Sequence, residues 1–314
     1  MRLALALLFV AFAQAHAFPT KPVRVIVAFT PGGVTDVIAR TLMPKLAELW
    51  GQPVVVENRP GAGGTVAAVA VARATPDGST LLVHSSGYAI NAALSQTLPY
   101  DPQRDFVHVA PLASQAMLLV VSPASGVKSV ADLIAAAKAR PGELAYGSAG
   151  IGSGGHFSAE KFRIAAGIDV LHVPYKGGAD AINDTMAGRL AFTFNTITLA
   201  LPFIRDGRLI PLGVTSRERS NLLPETPTFA EGALPGFEFT FWNGLWAPSG
   251  TPAPIAEQIA RDLARVVALA DVRERLSRLG AEPMAMTPAQ FASFVKSEIE
   301  NAERIARVSG IKAQ

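Results

Sequence analysis

Short runs of aliphatic and β-branched residues alternate along this chain with longer amphipathic stretches. VRVIVAF (23–29) leads into a helical pattern near 35–49, PVVVE (53–57) into AGGTVAAVAVARA, and TLLVH (80–84) closes a first series. The rhythm resumes after MLLVVS (117–122), with a helix over 129–139, then LAYG, a helix over 155–166, VLHVPY, a helix over 177–187, LAFTFN and LIPLGVTS. Such alternation predicts parallel sheet covered by helices. The loop-rich stretch LPYDPQRDF separates the two series and sets a lobe boundary near residue 118.

The C-terminal part carries its own punctuation. TPAPIAEQIARDLARVV is expected to open with Thr251 as N-cap and Pro252 at the first helical position. Thr287-Pro288-Ala289-Gln290 reads as a capping box for a last helix that ends near Gly310. If FTFWNGLWAP (239–248) returns the chain to the first lobe, these helices cover that lobe's sheet. The expectation is an α/β protein of two lobes joined by two crossing strands, with a cleft between. Residues 18–118 with 238–314 make one lobe and 119–237 the other. No fixed-period repeat or low-complexity tract is visible.

Composition narrows the compartment and the chemistry. Residues 1–17, MRLALALLFVAFAQAHA, combine Arg2, a short apolar run and the small-x-small ending Ala15-His16-Ala17. They read as a signal peptide cleaved after Ala17, because the run is shorter than the ~20 residues that span a bilayer. No later stretch is long and apolar enough to span. The chain has no cysteine, which excludes disulfides, thiol catalysis, Cys-based zinc sites and a lipid-attachment cysteine. A freely diffusing periplasmic protein is expected. The net charge of +3, without a Lys/Arg run, disfavours nucleic acid.

Two stretches, AFTPGGVTDVIAR (28–40) and YGSAGIGSGGHFSAEKF (146–162), share the order strand, glycine-rich turn, helix. Missing side chains let a ligand approach the backbone, and the N–H groups of a helix's first turn carry partial positive charge. Two such turns facing each other would grip an anion, with the hydroxyls of Thr30, Thr35, Ser148 and Ser153 as further donors. Ordinary tight turns with N-caps explain the same residues, and the residues alone do not choose.

Sharper motifs fail. Gly150, Gly152 and Gly155 match G-x-G-x-x-G, but Asp169 precedes the next strand instead of ending it, so the dinucleotide fingerprint is incomplete. No lysine follows a glycine, which removes the P-loop, and no serine sits in G-x-S-x-G. The histidines at 16, 84, 108, 156 and 172 form no H-x-x-x-H or H-E-x-x-H ligand pair. His84, His108 and His172 read as packed or strand-edge residues. His156, in the first turn of the second helix, can line the cleft or pack. No metal, cofactor or catalytic residue is expected.

The motifs together resemble a known family. F-x-P-G-G-x-x-D (Phe29 to Asp36), VENRPGAGG (56–64), YGSAGIGSGGH (146–156), HVPYKGGADA (172–181), LGVTSRERSNLLPETPTFAE (212–231) and PGFEF followed by WNGLWAPSGTP are similar to the Bug family, in order over nearly the whole mature chain. These are the extracytoplasmic solute receptors of tripartite tricarboxylate transporters. The resemblance implies a Venus-flytrap periplasmic binding protein, monomeric and not membrane-embedded, that closes on a small carboxylate or acidic amino acid and serves the transporter's membrane subunits. It implies a grip through backbone N–H groups, hydroxyls and bridging waters of the two turns, without an arginine clamp.

Carried onto this sequence, the first lobe offers Phe29 as an apolar wall with Thr30, Pro31, Gly32, Gly33, Thr35 and Asp36. Asp36 either buttresses the helix start or holds a water or ligand amine. Ser85, Ser86 and Tyr88 complete a wall. The second lobe offers Gly147, Ser148, Ala149, Gly150, Ser153 and His156, with Tyr175, Lys176, Gly177 and Asp180 on the next loop. Arg59 is expected to tie down its own loop. Two departures stand out: Val34 replaces a small residue after Pro-Gly-Gly, and Asn195 stands where many relatives carry an acid. A ligand without a positive amine is therefore expected. Two other classes remain: a sensor that docks on a membrane kinase, and an exported small-ester hydrolase using His156 and a nearby serine.

Overall fold

Apolar runs that are continuous, such as VRVIV, suit strands buried on both faces, and the fold uses them so. The computed structural model describes residues 18–95, 97–175 and 177–309, so the leader expected over 1–17 lies outside the described residues. The chain begins with β1 (Val23–Val27), α1 (Val34–Trp50), β2 (Val54–Asn58), α2 (Thr65–Ala72), β3 (Thr80–Ser85), α3 (Gly87–Leu94) and β4 (Phe106–Val121). It continues through α4 (Val130–Ala139), β5 (Ala145–Ser148), α5 (Gly154–Ala166), β6 (Leu171–Pro174), α6 (Gly178–Met186), β7 (Phe192–Thr196), α7 (Ile197–Arg205) and β8 (Ile210–Val214). It returns along β9 (Thr240–Pro248) and ends in α8 (Ala253–Val267), α9 (Ala270–Arg278), β10 (Ala281–Pro283) and α10 (Pro288–Ser309).

The strands order as β2-β1-β3-β9-β4-β7-β5-β6, with β8 and β10 also pairing to β4. β1 pairs in parallel with β2 and β3, and β5 in parallel with β6 and β7. The sheet as a whole is mixed, which corrects the parallel expectation: β9 runs antiparallel to β3 and β4, and β4 antiparallel to β7. A strand that brings the chain back to its first half runs against the one that took it out.

Two crossing segments join the halves. β4 pairs with β9 as far as Ala116 and with β7 and β8 from Met117 or Leu118 onward. The buried Thr215 fastens both crossings, since its hydroxyl accepts from Met117 N (2.8 Å) and donates to Phe239 O (2.6 Å). Each half carries apolar layers on both faces. In the first, Val25, Val27, Leu81, Val83 and Leu245 face the buried side of α1, α8 and α9, while Ile26, Leu82 and Trp242 pack with α2, α3 and α10. In the second, Tyr146, Phe192 and Phe194 pack under α4 and α5, and Val120 lies under α6 and α7.

Helix ends follow local chemistry with one shift. Thr287 N donates to Gln290 Oε1 and Gln290 N to Thr287 Oγ1, the reciprocal capping box that opens α10. Thr251 does not cap α8; its hydroxyl donates to Pro248 O at 2.8 Å, and the helix begins one residue later with Pro252 at the cap.

Candidate functional site

A parallel strand followed by a helix delivers its connecting turn to the strand's C-terminal edge, where ligands of open α/β sheets bind. All described residues of the expected site lie there. Phe29 to Asp36 follow β1, Ser85 to Tyr88 follow β3, Gly147 to His156 end β5 and open α5, Tyr175, Gly177 and Asp180 follow β6, and Asn195 lies at the end of β7. Lys176 lies outside the described residues. The second turn meets the first half closely: a Cβ on Gly152 would lie 3.1 Å from Asn91 Oδ1, and one on Gly87 would lie 3.8 Å from Gly152 O.

The first turn is held by a buried carboxylate. Asp36 Oδ2 accepts from Gly32 N (2.9 Å), and Oδ1 accepts from Arg40 Nε (2.9 Å) and Asn58 Nδ2 (2.8 Å). Asn58 Nδ2 also reaches Phe29 O, and Arg40 donates to Asn58 Oδ1. Burial alone would raise the Asp36 pKa; the Gly32 N–H, the Asn58 amide and the Arg40 guanidinium outweigh it and hold the carboxyl below the usual range. Asp36 thus buttresses the turn. Gly33 precedes α1 in extended conformation with no side-chain cap, so the first-turn N–H groups of α1 face an open turn whose Thr30, Pro31 and Gly32 are exposed.

The second turn is held by imidazoles and hydroxyls. Ser153 Oγ accepts from His156 N (3.2 Å) and caps α5, while Gly152 N donates to His156 Nδ1 (3.3 Å). His156 stacks on His172 at 4.1 Å between centroids, His172 stacks on Tyr146 at 4.9 Å, and His172 Nε2 lies 2.7 Å from Ser148 Oγ. Ser148 Oγ also accepts from Gly150 N (3.1 Å). Tyr146 OH donates to Glu160 Oε1, which Arg163 pairs at Oε2. Burial, with the His172 ring next, pushes the His156 pKa down to about 4, and burial lowers that of His172 as well.

Other expected residues divide. Ser85 Oγ accepts from Gly87 N, and the buried Ser86 hydroxyl has no partner among the described residues. Tyr88 turns away from the cleft: it stacks on Trp246 at 4.5 Å and donates to Pro102 O. Gly147 is packed, since a Cβ there would meet Leu190 Cδ1 at 2.5 Å. Tyr175 OH donates to Asp184, Asn195 Nδ2 to Thr193 Oγ1, and Asp180 is exposed in the first turn of α6. Arg59 pairs with Glu57 at the end of β2, which ties the start of its loop to that strand. Sequence reasoning missed Asn58, 22 residues from the Asp36 it supports, and the role of His172. Their signal was only membership of the motifs VENRPGAGG and HVPYKGGADA.

Such an arrangement of helix-start amides and hydroxyls at the C-terminal edges of the parallel strands of both halves suits anion capture, and comparison with known proteins identifies its setting. The family model described as "Tripartite tricarboxylate transporter family receptor" matches residues 38–311. The chain belongs to the tripartite tricarboxylate transporter receptor family. Within the family it is similar to Protein BugT of Bordetella pertussis, 36% identical over 95% of this chain and 92% of that protein. Among solved receptors, R. palustris Rpa4515 with adipate superposes with a TM-score of 0.86 at 37% identity, covering 94% of this chain and 99% of the other. MatC from Rhodopseudomonas palustris with bound malate gives 0.81 at 34% identity, covering 92% and 99%. The chain is therefore a two-lobed periplasmic solute-binding receptor, of a family whose members bind and do not catalyse. Among the described residues no helix is long and apolar enough to cross a membrane, and no group of His, Asp and Glu could hold a metal.

Proposed function

We propose that this receptor captures a small carboxylate between its lobes and presents it to the membrane subunits of a tripartite tricarboxylate transporter. The observation that carries the reading is the start of α1, uncapped by any side chain at Gly33, where first-turn N–H groups await an anion. Hydroxyls of Thr30, Thr35, Ser85 and Ser86 from one lobe and Ser153 from the other complete the donor set, while Ser148 is engaged by His172 and Gly150. Closure is stabilised by ligand contacts from both lobes. The lobes are residues 18–118 with 238–314 and 119–237, the leader is cleaved after Ala17, and the receptor acts as a monomer without cofactor. Asn195 in place of an acid, together with adipate and malate in the relatives, supports a ligand without an ammonium group.

A thermal-shift screen of the chain from Phe18, freed of carried-over ligand by unfolding and refolding, tests this. At ~100-fold excess over its Kd a ligand stabilises by about 2.7 kcal/mol. The expected result is a shift confined to carboxylates that lack an amine. Tight binding of glutamate or aspartate without binding of their des-amino analogues overturns the absence of an ammonium group, and no shift with any acid overturns the carboxylate reading. The Ser148–His172 contact of 2.7 Å favours hydrolysis as a second reading. Prolonged incubation with small esters is expected to yield no product.

A further inference from the structure

From Trp242 onward β9 is buried, and a strand covered on both faces is expected to be apolar throughout. Asn243 breaks that expectation. Its side chain is 0% exposed, yet neither Nδ2 nor Oδ1 has a hydrogen-bond partner among the described residues. A buried amide without partners is costly, so one kept in this strand calls for a partner from outside the fold.

Strand register places the amide. Asn243 pairs with Ser85 on β3 and with Ala113 on β4, so these side chains share one face, together with Leu245 and Phe241 two positions to either side along β9. On that face Leu245 packs with Ile38 and Leu42 of α1, the helix whose start is uncapped. The Phe241 ring lies against α5, since a Cβ on Gly154, the first residue of that helix, would stand 2.6 Å from it. Asn243 therefore sits at the C-terminal end of β3, between residues that pack against α1 and against the start of α5. Gln115, paired with Phe241 on the same face, adds a buried Nε2 that likewise has no partner among the described residues.

We infer that Asn243 is a ligand-binding residue at the floor of the cleft, where its amide hydrogen-bonds the carboxylate held between the two helix starts. This rests on the carboxylate reading above and adds a contact from a crossing strand to those from the two turns. No bond to a described residue fixes the amide's orientation, so Nδ2 can turn to a carboxylate oxygen. A hydrogen bond to an ionised acceptor is stronger than one between neutral groups.

Calorimetry on the refolded receptor tests this, with straight-chain mono- and dicarboxylates of two to eight carbons and their 2-hydroxy acids as probes, beside urea denaturation of the same proteins. Asn243→Leu keeps the volume and removes the polar atoms. It is expected to weaken the tightest-binding probe about tenfold or more while the urea midpoint stays or rises. Asn243→Asp keeps the shape and sets a like charge against the anion, so its loss at pH 8 is expected to exceed that of the leucine variant. Either variant, folded and binding within twofold of the unsubstituted chain, overturns the inference and assigns the amide to internal water. An Asn243→Leu affinity that falls only in step with its midpoint overturns it in favour of packing. Failure of every acid to bind the unsubstituted chain is a different result, because it removes the carboxylate reading itself and the inference with it.

Discussion

The first and second glycine turns share one order of elements and are held by opposite means. The first is fastened by a charge: Asp36 takes donors from Gly32, Asn58 and Arg40, and the helix start beyond it stays uncapped and open. The second is fastened by neutral groups: Ser153 caps α5, His156 accepts from Gly152, and the rings of His156, His172 and Tyr146 stack. Its glycines also serve packing, because a Cβ on Gly155 would lie 2.6 Å from Phe194 O and one on Gly154 would lie 2.6 Å from the Phe241 ring. One turn therefore leaves its helix amides to a ligand, whereas the other spends part of its polar capacity on becoming a rigid platform. Their responses to substitution and to acid should differ accordingly.

The largest separation is expected from Asp36→Ala, which leaves three donors without their charged acceptor and should cost about 3 kcal/mol of stability. Urea denaturation reads this as a lowered midpoint, and ligand affinity should fall with it as the first turn loosens. An unchanged midpoint would mean that Asp36 does not hold the turn.

Acid should reach the second turn first. His156 holds its folded pKa near 4 against an ordinary 6.5, so its contribution is complete above about pH 6.5 and is lost as pH falls towards 4, where the unfolded chain takes protons that the folded chain refuses. Protonation also removes the lone pair that accepts the Gly152 N–H. Asp36, held below the usual carboxylate range, keeps its contribution through that window and loses it only as pH falls through its own lowered pKa. His84 and His108, also pushed to about 4 by burial, add to the same slope from the first lobe. A Tm profile over pH 4–7 should therefore be shallower for His156→Phe than for the unsubstituted chain; equal slopes would take His156 out of the account.

The same substitution made in both turns sharpens the contrast. Gly155→Ala drives a methyl into a backbone carbonyl and should cost about 2 kcal/mol by overpacking. Gly32→Ala meets no atom within 4 Å and pays only for its φ of +79°, about 1 kcal/mol. Ser153→Ala, which removes the α5 cap, should likewise cost about 1 kcal/mol. Chemical denaturation ranks the three, and a Gly32→Ala cost equal to that of Gly155→Ala would erase the packing difference between the turns.

Much of this was legible in the residues. Alternating apolar runs announced the strands, and Thr287 to Gln290 announced the start of α10, because both depend on neighbours within a few positions. The glycine turns were legible for the same reason. β4 was not read as one strand of 16 residues, since Pro111 interrupts it and its register against β9 shifts twice. Tyr88, expected at the cleft wall, faces the aromatic core because α3 presents it to Trp246, a residue on β9 far along the chain.

By itself, then, the sequence determined the local elements, the two turns with their hydroxyls, and the family. The tertiary structure decided which polar groups remain free for a ligand. Asn58 and Arg40 consume Asp36, and His172 reaches Ser148, only because strand register and helix packing bring them within about 3 Å, the range over which a hydrogen bond forms. Spacing along the chain carries no record of that distance.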